Sequence, residues 1–156
     1  MYFYPRKVSY PTDKQLEIWE LKRMKLSGKE IASQKEVTPG FVSKTLTEAN
    51  QRIKGILENA AHMNKITIDL MNEKLGFVRG QSHMFNVRCY ITFSPKNGVQ
   101  VWYEHKGDCI SCEKYTLCRE ILLQEFKERN LQIEKPSMRP TDLVELLFQK
   151  LEEMVK

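Results

Sequence analysis

Along the first third of the chain, apolar residues recur at helical intervals, and the polar residues between them include helix-starting signals. Thr12 followed three residues later by Gln15 has the form of a capping box, and Leu16, Ile18, Trp19 and Leu21 extend an apolar stripe toward Met24. This predicts a first helix over residues 13–25. Ser27, with Glu30 three residues on and Ile31 and Ala32 facing inward, predicts a second, shorter one. Val37-Thr38-Pro39 ends it and opens a third, because Thr38 can cap while Pro39 takes the first helical position, where no amide hydrogen is needed. From there Val42, Leu46, Ala49, Ile53, Ile56, Ala60 and Met63 keep a spacing of four and three, so a continuous helix to about residue 64 is expected. Its seam can pair with a second copy, giving a homodimer through residues 42–63, or lie against the chain's own second half.

From Lys65 the period changes to two. Ile66, Ile68 and Leu70 alternate with polar residues, residues 72–76 read as a turn, and residues 77–80 as a second short strand. A hairpin follows over residues 86–93 and 99–105, where Asn97-Gly98 supplies the positive φ angles of a tight turn. If Phe93 pairs near Gln100, Cys89 falls opposite Glu104 and is folded back toward the cysteines downstream. The remainder is helical: residues 115–130 carry Leu117, Ile121, Leu122 and Phe126 on one side, residues 136–140 are a break, and Thr141 caps a last helix striped by Leu143, Leu146, Leu147, Leu151 and Met154. The expected fold class is α+β. Residues 1–64 form an all-α domain with a long third helix, and residues 65–156 a small α+β domain with an antiparallel hairpin and two C-terminal helices.

With 156 residues, of which 41% are hydrophobic, the chain can bury one medium core or two small ones. No apolar run approaches the roughly 18 residues that spanning a bilayer requires, and the amino terminus has no signal-peptide pattern, so no membrane partner is expected and a reducing cytoplasm is the default compartment. The net charge of +5 is unevenly placed: residues 1–65 hold 12 Lys and Arg against 7 Asp and Glu, and residues 66–156 hold 13 against 13. The first part is therefore the candidate polyanion binder. The opening aromatics Tyr2, Phe3, Tyr4 and Tyr10 around Arg6 and Lys7 are read as packing onto their own domain rather than as a nucleic-acid arm.

Three helices with tight joints make a helix-turn-helix unit. The runs Pro11–Leu21, Leu26-Ser27-Gly28-Lys29-Glu30-Ile31-Ala32 and Val37-Thr38-Pro39-Gly40-Phe41-Val42-Ser43-Lys44-Thr45-Leu46 resemble the DNA-binding domain of LuxR-type regulators, of region 4 of sigma factors and of archaeal Tfx-like regulators. The resemblance covers about residues 11–54 and implies binding to double-stranded DNA. Lys25 stands where a small residue or glycine is usual in those families. The periodicity of the third helix leaves Gly40, Phe41, Ser43, Lys44, Thr47 and Asn50 on the outer or flanking surface, and it is the start of such a helix that enters a major groove. Ser43, Lys44 and Thr47 can donate to base edges or phosphates, and Gly40 removes bulk where the backbone nears DNA. Lys29, Thr38, Arg52 and Lys54 are candidate phosphate contacts. A trihelical unit used only for protein contacts is the plainer alternative.

The other concentrated chemistry is Cys109-x2-Cys112-x5-Cys118, with Cys89 one hairpin upstream. Thiols this dense, in a reducing compartment, are better explained by a metal than by disulfides, although buried structural thiols or a redox CxxC pair are the alternatives. Cys89 is the preferred fourth ligand and His105, four residues before Cys109, the alternative; four thiolates would hold zinc or ligate one cluster. The segment running into Arg119-Glu120-Ile121-Leu122-Leu123 resembles the cluster motif of WhiB-like proteins, which implies a 4Fe–4S iron–sulfur cluster in preference to zinc. No Gly-rich phosphate loop, Ser/His/Asp set or carboxylate pair at catalytic spacing occurs, so no enzymatic activity is expected. The combined expectation is a sequence-specific transcriptional regulator whose Cys-ligated site senses redox state or metal, or only stabilises its domain. The rival is a redox-active or ligand-binding domain with the trihelical unit as a docking module.

Overall fold

The protein is described by a computed structural model covering residues 8–156; residues 1–7, and with them the predicted packing of Tyr2, Phe3, Tyr4, Arg6 and Lys7, lie outside the described residues. The element order is α1 (Asp13–Arg23), α2 (Gly28–Lys35), α3 (Pro39–Met63), β1 (Ile66–Asn72), β2 (Phe77–Ser82), β3 (Val87–Ser94), β4 (Gly98–Tyr103), α4 (Tyr115–Glu128) and α5 (Pro140–Val155). The strands form one antiparallel meander in the order β1-β2-β3-β4. The chain is therefore α+β, as its patterning predicts.

The helix starts are set by the expected side chains. Thr12 and Ser27 each close a reciprocal capping box, with Gln15 and with Glu30, and the Thr38 hydroxyl accepts from the Phe41 amide while Pro39 takes the first turn. Several predicted boundaries change, among them the end of α4, which falls at Glu128 rather than at residue 130. α1 ends at Arg23, because Lys25 adopts φ +70° and turns the chain. The last helix begins at Pro140 with Arg139 at the cap position, so Thr141, expected as the cap, lies inside the first turn.

A small core of Ile18, Ile31, Ala32 and Val42 holds the three N-terminal helices together. Further along α3 the same stripe meets the sheet: Ala49, Ile53, Ile56, Leu57, Ala60 and Ala61 pack with Trp19 of α1 and with Ile66, Val78, Cys89, Ile91 and Phe93. Of the two partners open to the seam, the chain's own second half occupies it. A homodimer through residues 42–63 has no apolar seam left to pair, since of the stripe residues only Met63, at its end, is exposed. The boundary at residue 64 thus separates sequence patterns but not cores.

Because side chains alternate across a strand, the sheet has a second face. Phe77 lies there with Leu122 and Phe126 of α4 and Leu143, Leu147, Phe148 and Leu151 of α5, with Tyr90 and Trp102 packed against them. Leu117, expected on the inner side of α4, is instead exposed. A bulge between Ile68 and Leu70 lets β1 serve both faces, with Ile68 toward α3 and Leu70 toward α4 and α5. Gly76, at φ +69°, closes the β1–β2 turn. A β-carbon there would stand 2.9 Å from both the Phe93 carbonyl oxygen and the Trp19 ring, so the turn can lie under Trp19 only without a side chain.

Candidate nucleic-acid interface and thiol segment

The first turns of α3 project from the trihelical unit. Val42 and Thr45 are buried and Leu46 partly so, which turns Gly40, Phe41, Ser43, Lys44 and Thr47 to solvent; Phe41, a large aromatic, is 42% exposed. Their geometry is held from within the helix: the Thr38 hydroxyl is engaged by the Phe41 amide at 3.1 Å, and Thr47 donates to the Ser43 carbonyl at 3.1 Å. Ser43 and Lys44 have no side-chain partner among the described residues, so their donors face outward. Beside them a cleft of about 220 Å³ lies between the start of α1 and α3, lined by Thr12, Lys14, Gln15, Phe41, Lys44, Thr45 and Glu48. Gln15 bridges to Glu48 at 3.1 Å across its floor. Lys14, which the motif resemblance passes over, faces the same opening as Lys44; a charged residue two places after a capping threonine, on the helix that borders the reading helix, is the signal for it.

The outlying basic residues differ in availability. Lys29 is exposed. Lys54 is exposed but sits 3.9 Å from Glu58 one turn on. Arg52 is half-buried and donates to the Tyr10 carbonyl at 3.1 Å, so it ties the incoming chain to α3. A second groove, of about 380 Å³, runs beside it between Val8, Ser9 and the outer face of α3 at Gly55, Glu58 and Asn59.

The cysteines divide into three and one. Asp108 opens the segment by accepting from the Ile110 amide and the Ser111 hydroxyl, at 3.0 and 2.9 Å. Successive turns then follow, with the Cys112 amide on the Cys109 carbonyl, the Tyr115 amide on the Cys112 carbonyl and the Cys118 amide on the Lys114 carbonyl. Cys112 is exposed, Cys109 and Cys118 half-buried. Burial pushes the Cys118 thiol up, and Cys112 and Cys109 act in the same direction. The three thiols do not converge on one point: among the described residues no three His, Cys, Asp or Glu side chains stand in an arrangement that would hold a metal ion.

Cys89 is elsewhere. The hairpin register is Phe93 to Val99 and Cys89 to Tyr103, one residue short of the expected pairing. Cys89 is fully buried on the α3 side of the sheet, whereas Cys118 belongs to the helix packed over the other side. Burial, then Asp69, raises its thiol above the ordinary range, which disfavours a ligating thiolate. The expectation that Cys89 completes a four-thiol site is therefore corrected by strand alternation, which sends its side chain into the core. His105 is exposed in the loop before Cys109 and joins no metal-holding group either. The donor set does not fit a four-cysteine iron–sulfur cluster.

One constellation has no counterpart among the sequence-based expectations. Arg23, the last residue of α1, is 3% exposed, stacks on Trp19 with its guanidinium carbon 3.9 Å from the ring centroid, and pairs with Glu128 at 3.2 Å. Glu128 also accepts from Ser94 and Gln124, each at 2.9 Å. Beside it, fully buried Arg129 pairs with Glu125 and donates to the carbonyls of Leu75, Gly76 and Phe93. Burial, then Arg129, lowers the Arg23 guanidinium to about 10, against the opposing pull of Glu128; it remains a cation at neutral pH. The sequence does carry a signal for it: residues 125 and 129 fall on the same helical face as Leu122 and Phe126.

Comparison with protein-family models, with curated proteins and with solved structures finds no match to this chain. Among the described residues no helix is long and apolar enough to cross a membrane.

Proposed function

We propose that this chain is a DNA-binding regulator that reads a major groove with the first turns of α3. The observation that carries the reading is the exposed edge Gly40, Phe41, Ser43, Lys44 and Thr47 on a capped helix whose opposite side is buried, in the part of the chain that holds the whole charge excess. A helix start presented this way matches the geometry by which recognition helices meet base edges. Ser43 and Thr47 supply short polar groups and Lys44 a cation for a phosphate or a guanine edge. Lys14 and Lys29 extend the positive rim, and Gly40 permits close backbone approach. Arg52 and Lys54, drawn onto the chain's own groups, are secondary contacts at most.

The regulatory input in this reading is the segment Cys109–Cys118, whose solvent-accessible thiols are open to soft metal ions or electrophiles. The test is fluorescence anisotropy with labelled mixed-sequence duplex at stepped salt. Association that weakens linearly in log–log coordinates is expected, with a dissociation constant of about 10⁻⁴–10⁻⁶ M near physiological salt before any preferred site is selected. Lys44→Ala should lower the salt slope by about 1 and leave the melting temperature unchanged. Binding that is absent at low salt, or that Lys44→Ala leaves untouched, would overturn the reading and favour a protein-docking role for the trihelical unit.

A further inference from the structure

We propose that the free edge of β4 is a dimerisation surface, at which two copies of this chain pair antiparallel about a two-fold axis through Gln100 and join their sheets into one. The inference does not depend on the DNA-binding reading.

β4 closes the strand order β1-β2-β3-β4, so it has a neighbour on one side only. The Glu104 amide donates to the Arg88 carbonyl at 2.9 Å, and Cys89 stands opposite Tyr103. Antiparallel alternation then makes Tyr90 with Trp102, and Thr92 with Gln100, the pairs that exchange hydrogen bonds. The amides and carbonyls of Val99, Val101 and Tyr103 therefore point away from β3. Among the described residues no backbone group outside the sheet bonds to them.

The two edges of the sheet differ in kind. β1 carries a bulge between Ile68 and Leu70 with exposed Asp69 in it, both devices that keep an edge from pairing with another chain. β4, Gly98–Tyr103, runs six residues with no charge, no proline and no bulge. Val99 is 37% exposed. At the other end of the strand the apolar surface continues: exposed Phe85 packs edge-on against Tyr103, ring centroids 4.9 Å apart, and exposed Met84 adjoins it. A flat, uncharged edge of this kind is a template for strand addition.

A second copy is the occupant because the strand is complementary to itself. With Gln100 on the axis, Val99 faces Val101 of the second copy and Trp102 faces its Gly98, so no charge is set against an apolar side chain. The same register sets Lys96 opposite Glu104, twice by symmetry. Both residues are exposed, and neither joins an ion pair among the described residues. Opposite charges facing each other across strands stabilise pairing and like charges oppose it. Moving the axis to Val101 would set Lys96 against Lys106, so charge selects the first register. A two-fold interface uses one patch on both copies, which a neutral strand flanked by one charge of each sign satisfies.

The experiment is sedimentation equilibrium of the full chain over a concentration series, with amide hydrogen exchange read by residue. The weight-average mass should rise toward twice that of the chain, and exchange at Val99, Val101 and Tyr103 should slow as it does. Val101→Pro removes an outward donor and none of the bonds to β3, so it should leave a folded monomer. Lys96→Glu should weaken the dimer by about tenfold, and Lys96→Glu with Glu104→Lys should restore it to within about twofold. Recovery in the double variant separates this register from a general effect of surface charge. A monomer at every concentration overturns the proposal and leaves the edge to a strand of another protein. A dimer that Val101→Pro leaves intact, or a double variant as weak as Lys96→Glu, overturns it as well. Should Val101→Pro fail to fold, Val99→Lys places a charge on the exposed edge and serves the same comparison. No duplex enters these measurements, so the DNA-binding reading stands or falls separately.

Discussion

Lys25 carries a local strain: its backbone sits at φ +70°, in the left-handed region that glycine adopts freely. A residue with a β-carbon is strained there by roughly 1 kcal/mol. Lys25→Gly should therefore raise stability by about 1 kcal/mol, seen as a higher melting temperature; a neutral or destabilising result would mean that the lysine side chain has a compensating contact. Cys89 makes the complementary case. Its type suggested a ligand and its neighbours made it core. A thiol count with a small disulfide reagent should give three reactive groups in the native protein and the fourth only on unfolding. Cys89→Ser should lower stability by about 1–3 kcal/mol, because the hydroxyl enters an apolar site.

The helices were the most legible elements because their signals are local. A capping side chain and its amide are three residues apart, so Thr12 with Gln15, Ser27 with Glu30, and Thr38 with Pro39 could be read without knowing any partner. Thr12→Ala should lower stability by about 1 kcal/mol in chemical denaturation, since the Gln15 amide loses its acceptor. The hairpin was legible as an element but its register was not. Asn97-Gly98 announces a turn, yet where pairing begins depends on which residues the two faces can bury. A slip of one residue set Cys89 opposite Tyr103 instead of Glu104. The face that Cys89 occupies is decided by the same alternation, and with it the failure of the four-thiol arrangement.

At the scale of the whole molecule, the two halves that the patterning separates at residue 64 share one core across α1, α3 and the sheet, and a buried charged joint at Arg23 and Glu128. Arg23→Met alone should cost about 3–5 kcal/mol because it strands the Glu128 carboxylate, whereas the double variant Arg23→Met, Glu128→Gln should lose much less. Equal losses in urea denaturation would show that the pair contributes packing rather than charge compensation. If the halves are one unit, unfolding followed by Trp19 and Trp102 fluorescence should coincide with far-UV circular dichroism in a single transition.

The amino-acid sequence by itself determined the order and kind of the elements, the caps that start the first three helices, the exposed edge of α3 and the clustering of three thiols, because each depends on residues within a turn or two of one another. Tertiary structure decided which surface covers the α3 seam, which side of the sheet Cys89 faces, and that Arg23, Glu125, Glu128 and Arg129 lie inside. Glu128 alone joins partners 34 and 105 residues away in the chain, and burial is a property of what packs against a side chain rather than of the side chain itself.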